Sequence, residues 1–247
     1  MESLKCFIRL RPEEGEQCIF KDLNSEKLTV VNRKESGTAS SLSESTSTFE
    51  FDKIFDRESK QLDVWDHVKP LVHEALKGFT VTVFAFGMTG SGKSHTINGT
   101  KDDPGLVPRA VNHIFDNLKS CSSSDNREQV GMVCLSFVEL YNNQLYDLLT
   151  PEGSTQTENG NLKIHEHPQR GVYLSGSSGI RTPVSTADEA IQLIEKGYRD
   201  RVTCSTNLND RSSRSHTVIS FEIVSREAIS SSDKENINEK STLGKAP

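Results

Sequence analysis

The chain has 247 residues, of which 33% are hydrophobic and 26% charged, with a formal net charge of −6. That length suits one large α/β domain or two small ones, and the low apolar share points to long polar loops around a modest core. The negative balance excludes a global basic field for nucleic acid or anionic lipid, so any polymer-binding face has to be local.

Cys6, Cys18, Cys121, Cys134 and Cys204 are odd in number, scattered and never paired as C-x-x-C, which fits reduced thiols in the cytosol or nucleus. No apolar leader follows Met1 and no run reaches the length of a membrane span, so the sequence reads as an intracellular soluble protein.

Leu4 to Leu10 alternates as a first strand, stopped by Pro12. Arg9, Arg11 and Pro12 there are either a solvated strand end or flat surfaces on which a purine could stack. Lys27 to Asn32 suggests a short strand, Glu35 to Thr48 a flexible Ser/Thr-rich loop, and Phe49 to Phe55 a strand entering a turn at Asp56. Gln61 to Gly78 has helical periodicity through Leu62, Trp65, Val68, Leu71, Val72 and Leu76, with Gly78 as its stop.

Thr80 to Phe86 is apolar and β-branched, a candidate buried strand, and it leads into Gly87 to Ser94, G-M-T-G-S-G-K-S. These eight residues match the phosphate-binding template G-x-x-x-x-G-K-[ST]. Gly87, Gly90 and Gly92 let the chain curl so that its backbone N–H groups face phosphate oxygens. Lys93 would reach the β- and γ-phosphates, the Ser94 hydroxyl would ligate Mg²⁺, and a helix can start at Lys93.

Gly105 to Leu118 reads as a turn followed by a helix, and Ser120 to Asn126 as a polar loop. Val130 to Tyr141, nearly all apolar, reads as a central strand that Asn142 and Asn143 turn back. Leu162 to Leu174 reads as a strand pair around His165 and His167, an H-x-H without the further ligands a metal site needs. Ser185 to Arg201 reads as a helix capped by Ser185 or Thr186, Thr217 to Val224 as the last strand, and Ser225 to Pro247 as a polar tail. Asn207 to His216, N-L-N-D-R-S-S-R-S-H, is too polar for a core and suits a sensor of a nucleotide's γ-phosphate, or a solvated loop.

Taken in order, R-L-R-P (9–12), F-D-K-I-F (51–55), A-F-G-M-T-G-S-G-K-S-H-T (85–96), G-L-V-P-R-A (105–110), S-F-V-E-L-Y-N-N-Q-L-Y-D-L-L (136–149) and N-D-R-S-S-R-S-H (209–216) resemble the kinesin motor domain. The resemblance implies a three-layer P-loop NTPase of α/β class, with a mixed, mostly parallel sheet between helices, spanning residues 1–225 ahead of a polar tail. It implies an ATP-dependent, Mg²⁺-requiring motor working on microtubules and located with the cytoskeleton or spindle, with no nucleic acid or membrane as partner. Arg9, Arg11, Pro12 and His95 would surround adenine, and Gly87, Met88, Thr89, Gly90, Ser91, Gly92, Lys93 and Ser94 would hold phosphates. Ser94 and Ser213 would approach Mg²⁺, Ser212 and Asn209 would position the attacking water, and Arg214 would pair with an acidic switch II residue.

Met88 and Phe86 replace the family's usual Gln and Tyr, a mild departure. A larger one is that no D-x-x-G-x-E follows Val224. The expectation is therefore a fold incomplete on its C-terminal side, marginally stable alone, with ATP hydrolysis and microtubule binding weak or lost. The competing expectation is a non-motile nucleotide-binding module.

Overall fold

The computed structural model describes residues 4–12, 19–21, 25–34, 43–121, 130–149, 162–168, 171–175, 181–205 and 215–225. The expected sensor residues Asn209, Ser212, Ser213 and Arg214, and the polar tail, lie outside them.

Strand β6 (Val130–Tyr141) is the longest strand described, and both its faces are buried between Val133 and Glu139. Along one side it pairs antiparallel with β11 (Ser215–Ser225), from Ser215↔Tyr141 to Ser225↔Val130. β10 (Thr182–Val184) and β7 (Gln144–Asp147) also pair antiparallel with it. Asn142 and Asn143, at φ 50° and 58°, make the two-residue turn between β6 and β7, where residues tolerant of the left-handed region are required. The central strand and its turn are as the sequence indicates.

β1 (Phe7–Arg9) pairs in parallel with β5 (Lys53–Phe55). β2 (Ile19–Lys21), β3 (Lys27–Lys34) and β4 (Ser43–Glu50) form a small antiparallel sheet, and β8 (Lys163–His167) pairs with β9 (Gly171–Ser175) as a separate hairpin. The expected 35–48 loop thus gives way to strand from Ser43. Its Ser and Thr residues leave no apolar alternation because residues 45–50 are exposed, yet their backbone pairs fully with β3. Among the described residues parallel pairing is confined to β1 and β5.

Helix α1 (Gln61–Leu76) opens where the Lys60 amide donates to Asp63 Oδ2 at 2.7 Å, and Gly78, at φ 96°, turns the chain away after it. It buries Val64, Trp65, Val68 and Val72 in a cluster with Phe55, Leu106, Ile114 and Ile223. α3 (Leu106–Cys121) reaches beyond the start of the expected polar loop and joins that cluster to a second one. In the second, its Val111 and Phe115 meet Val133, Leu135 and Phe137 of β6 and Ala190 and Ile194 of α4 (Ala187–Ser205). The Glu189 amide donates to Thr186 Oγ1 at 3.1 Å and the Ser185 amide to Glu189 Oε2 at 2.7 Å, a reciprocal cap that selects Thr186 as N-cap. No helix among the described residues is long and apolar enough to cross a membrane.

The run Thr80 to Phe86 departs most from expectation. No strand is assigned there, and Phe79, Phe84 and Phe86 are 60%, 74% and 95% exposed. A strand exists only with a ladder partner, and among the described residues none pairs with it. Its apolar composition gives the tendency without the neighbour.

α4 approaches β6 closely because Gly197 has no side chain. A Cβ there would lie 2.6 Å from Phe137 Cδ1 and 3.2 Å from the Leu148 carbonyl oxygen. Gly197→Ala is therefore expected to destabilise the fold by about 1–3 kcal/mol in denaturant titration, through overpacking against a fully buried ring.

His113 on α3 sits edge-on to Trp65 at 5.8 Å and near His73 at 6.4 Å. Burial chiefly, then Lys69 and His73, hold it below its usual value of 6.5, with Asp116 opposing. The unfolded chain then takes up this proton before the folded one as pH falls, so stability should decline below about pH 6.5. Thermal unfolding between about pH 7.5 and 5.5 should show that decline, and His113→Gln should lessen it.

Candidate phosphate-loop site

The loop from Gly87 to Gly92 runs into a five-residue helix, α2 (Lys93–Ile97). Gly87, Gly90 and Gly92 stand at φ 156°, 80° and 97°. At Gly87 a Cβ would come within 2.5 Å of Ser91 Oγ, so Ser91 would have to turn aside, and a backbone at φ 156° is strained for any residue with a side chain. At Gly92 nothing lies within 4 Å of where a Cβ would sit, so glycine is required there by φ 97° and not by crowding. The Lys93 ammonium folds over the loop and donates to the Gly87 and Met88 carbonyls at 2.8 and 2.7 Å. Ser94 and His95 are exposed on the first turn, and the Ser91 amide closes the loop onto the Met88 carbonyl at 3.1 Å. Curl, inward cation and exposed hydroxyl fit a polyphosphate with its magnesium ion.

The loop is held by side chains. Gln61, 1% exposed at the start of α1, donates through Nε2 to the His95 carbonyl at 2.5 Å and accepts from Arg9 Nη1 at 2.8 Å. Arg9 Nη1 also donates to Thr96 Oγ1 at 3.1 Å, and its Nη2 donates to the Ser59 carbonyl at 3.2 Å. Burial pulls this guanidinium below its usual range, while Asp103 and Asp63 counter the effect. Arg11, exposed beside Pro12, donates through Nη1 to the Gly90 carbonyl and so touches the loop. Thus Arg11 reaches the loop and Arg9 the helix that follows it, both from far away in sequence.

Gln61 escapes a motif-based reading. Its signal is a polar residue continuing the apolar stripe of Val64, Trp65 and Val68, which implies a buried partner. His165 and Tyr173 stack across the β8–β9 hairpin at 5.4 Å, and no cluster of potential metal ligands occurs among the described residues.

An α/β fold with a glycine-curled loop, an inward lysine and a following serine at a helix start has the form of a P-loop NTPase. A family model described as the kinesin motor domain matches residues 9–244. The kinesin heavy chain of Neurospora crassa is 36% identical over 243 residues, covering 94% of this chain and 24% of that protein. The kinesin-like protein Klp61F of Drosophila melanogaster is 36% identical over 242 residues, covering 92% of this chain and 21% of that one. A solved fast kinesin, described with implications for ATPase mechanism and interactions with microtubules, superposes with a TM-score of 0.75 at 32% identity, over 93% of this chain and 62% of that one. The chain belongs to the kinesin motor domain family. It spans about a quarter of the length of these curated relatives and under two thirds of the solved chain.

Gln61→Leu keeps the volume but leaves the Arg9 guanidinium and the His95 carbonyl without their shared partner. A loss of about 1–3 kcal/mol in urea unfolding is expected, with Leu62→Ala, at a 51% exposed neighbour, close to neutral.

Proposed function

We propose that this chain binds ATP with Mg²⁺ at Gly87 to Ser94 and contributes the nucleotide site of a microtubule motor, in which ATP hydrolysis drives movement along the cytoskeleton. The observation that carries the reading is the loop geometry: three glycines at positive φ around an inward-facing Lys93 ammonium. Backbone N–H groups of the loop and Lys93 would hold the β- and γ-phosphates. The Ser94 hydroxyl, with Ser213, would hold Mg²⁺, which when bound neutralises charge on those phosphates.

In this reading Ser212 and Asn209 order the attacking water, and Arg214 pairs with a carboxylate. Support comes from the residue that follows them. Ser215 starts β11 and accepts from Arg201 Nη2 at 2.6 Å, so the polar stretch ends on a fixed point. Arg9, Arg11, Pro12 and His95 would form the adenine side, consistent with Arg11 bonding the loop and Arg9 the helix after it. The described interactions with microtubules of the fast kinesin support the choice of partner.

Lys93→Ala is expected to weaken ATP binding by more than about tenfold, the loss of a charge-assisted contact, without unfolding the chain. Titration with a fluorescent ATP analogue, with circular dichroism as the folding check, measures this. Phosphate release with and without polymerised tubulin tests the rest: stimulation supports the motor reading, and binding without turnover in either condition points to a non-motile nucleotide-binding module.

A further inference from the structure

The C-terminal end of α2 is tied to α4 by one hydrogen bond between side chains distant in sequence. The Tyr198 hydroxyl donates to Asn98 Oδ1 at 3.0 Å. Asn98 is the C-cap of α2, and its amide donates to the Ser94 carbonyl at 2.8 Å, so the tie acts on the turn that carries the Ser94 hydroxyl. The Asn98 carbonyl accepts from Gly105 at 2.9 Å, which joins the same residue to the start of α3. Gly99, at φ 71°, makes this close passage feasible, because a Cβ there would collide with the backbone of Asp103 and Gly105.

Tyr198 is itself firmly placed. Its ring meets Phe137 edge-on at 4.8 Å, next to the Gly197 contact that seats α4 on β6. Burial raises the phenol above its usual value, with the nearby Arg201 opposing, so the hydroxyl stays a donor at neutral pH. One turn on, Arg201 donates to the buried Glu139 at 2.9 Å and to Ser215. One face of α4 therefore fixes both the end of α2 and the beginning of β11.

We propose that Tyr198, acting through Asn98, is a positioning residue for Ser94: it holds the α2 turn so that the serine hydroxyl is set for the magnesium ion of a bound nucleotide. The inference deepens the nucleotide-site reading and rests on it. Tyr198 touches neither nucleotide nor metal in this role. Its effect falls on the magnesium-dependent part of binding, while Lys93 and the loop N–H groups supply the rest.

The test is an equilibrium titration of the whole chain with a fluorescent ATP analogue, in excess Mg²⁺ and again in EDTA. Tyr198→Phe keeps the ring on Phe137 and removes only the hydroxyl, with its bonds to Asn98 and Thr217. It should weaken binding about three- to tenfold with Mg²⁺ and change it less than about twofold in EDTA, as expected for one lost hydrogen bond. Asn98→Ala should do the same, and the double variant should be no weaker than Asn98→Ala alone. Equal losses in both conditions would reduce Tyr198 to a structural role and overturn the inference, as would additive losses or unchanged affinity. A parent chain that binds no analogue, or a Lys93→Ala variant that binds as tightly as the parent, overturns the nucleotide reading and this inference together. A parent that binds and loses affinity on Lys93→Ala, beside an unaffected Tyr198→Phe, overturns this inference alone.

Discussion

The glycine loop and its short helix are anchored through buried and half-buried side chains, and among the described residues no β-ladder holds them. On one side Gln61 and Arg9 hold the His95 carbonyl and Thr96, and on the other Tyr198 holds Asn98. Between them lies a helix of only five residues, too short to be stable by itself. Its position depends on what grips it, and the grips belong to different cores. Gln61 opens the helix that fills the cluster around Trp65, whereas Tyr198 leans on Phe137 in the cluster around β6. α3 supplies residues to both, so relative movement of the two cores is resisted by a helix that would have to unpack from one.

Buried charge follows the same plan. Glu139 is 1% exposed within an apolar strand, and Arg201 reaches it from α4. Desolvating both ions costs about what their attraction returns, so such a pair is weak evidence of stability. It is better evidence of placement, because Arg201 divides its donors between Glu139 and Ser215 and so fixes where β11 begins. Arg9 is the equivalent at α1, bonded to Gln61, Thr96 and Ser59, with its burial countered by Asp103 and Asp63.

How much of this was legible from residues alone depended on whether the cause was local. The Gly87 to Ser94 curl, the Asn142–Asn143 turn and the Thr186 cap are set by φ preferences and short-range hydrogen bonds, and a sequence carries those. The central position of β6 was legible because both its faces are apolar. β4 was not, since a solvated strand of Ser and Thr has the composition of a loop and is specified by β3 across the pair. Thr80 to Phe86 failed in the opposite direction: side-chain chemistry proposes a buried strand, but a ladder depends on another segment. Gln61, Asn98 and Tyr198 belong to no motif, and their meaning comes from contacts spanning 34 to 100 positions.

Arg9 serves the fold in a way that would leave it free to serve a ligand. In the proposed function it would offer a flat stacking surface to adenine, whereas the structure gives it three hydrogen bonds, to Gln61 of α1, Thr96 of α2 and Ser59. These roles use different parts of the group. A guanidinium donates in its own plane and stacks through its faces, so in-plane bonds to Gln61, Thr96 and Ser59 fix its orientation without consuming the faces. Burial strengthens the arrangement, because a pinned plane loses little entropy when an aromatic ring settles on it. The clamp that holds the loop is thus also the means by which a stacking surface would be set at a fixed angle to the phosphates.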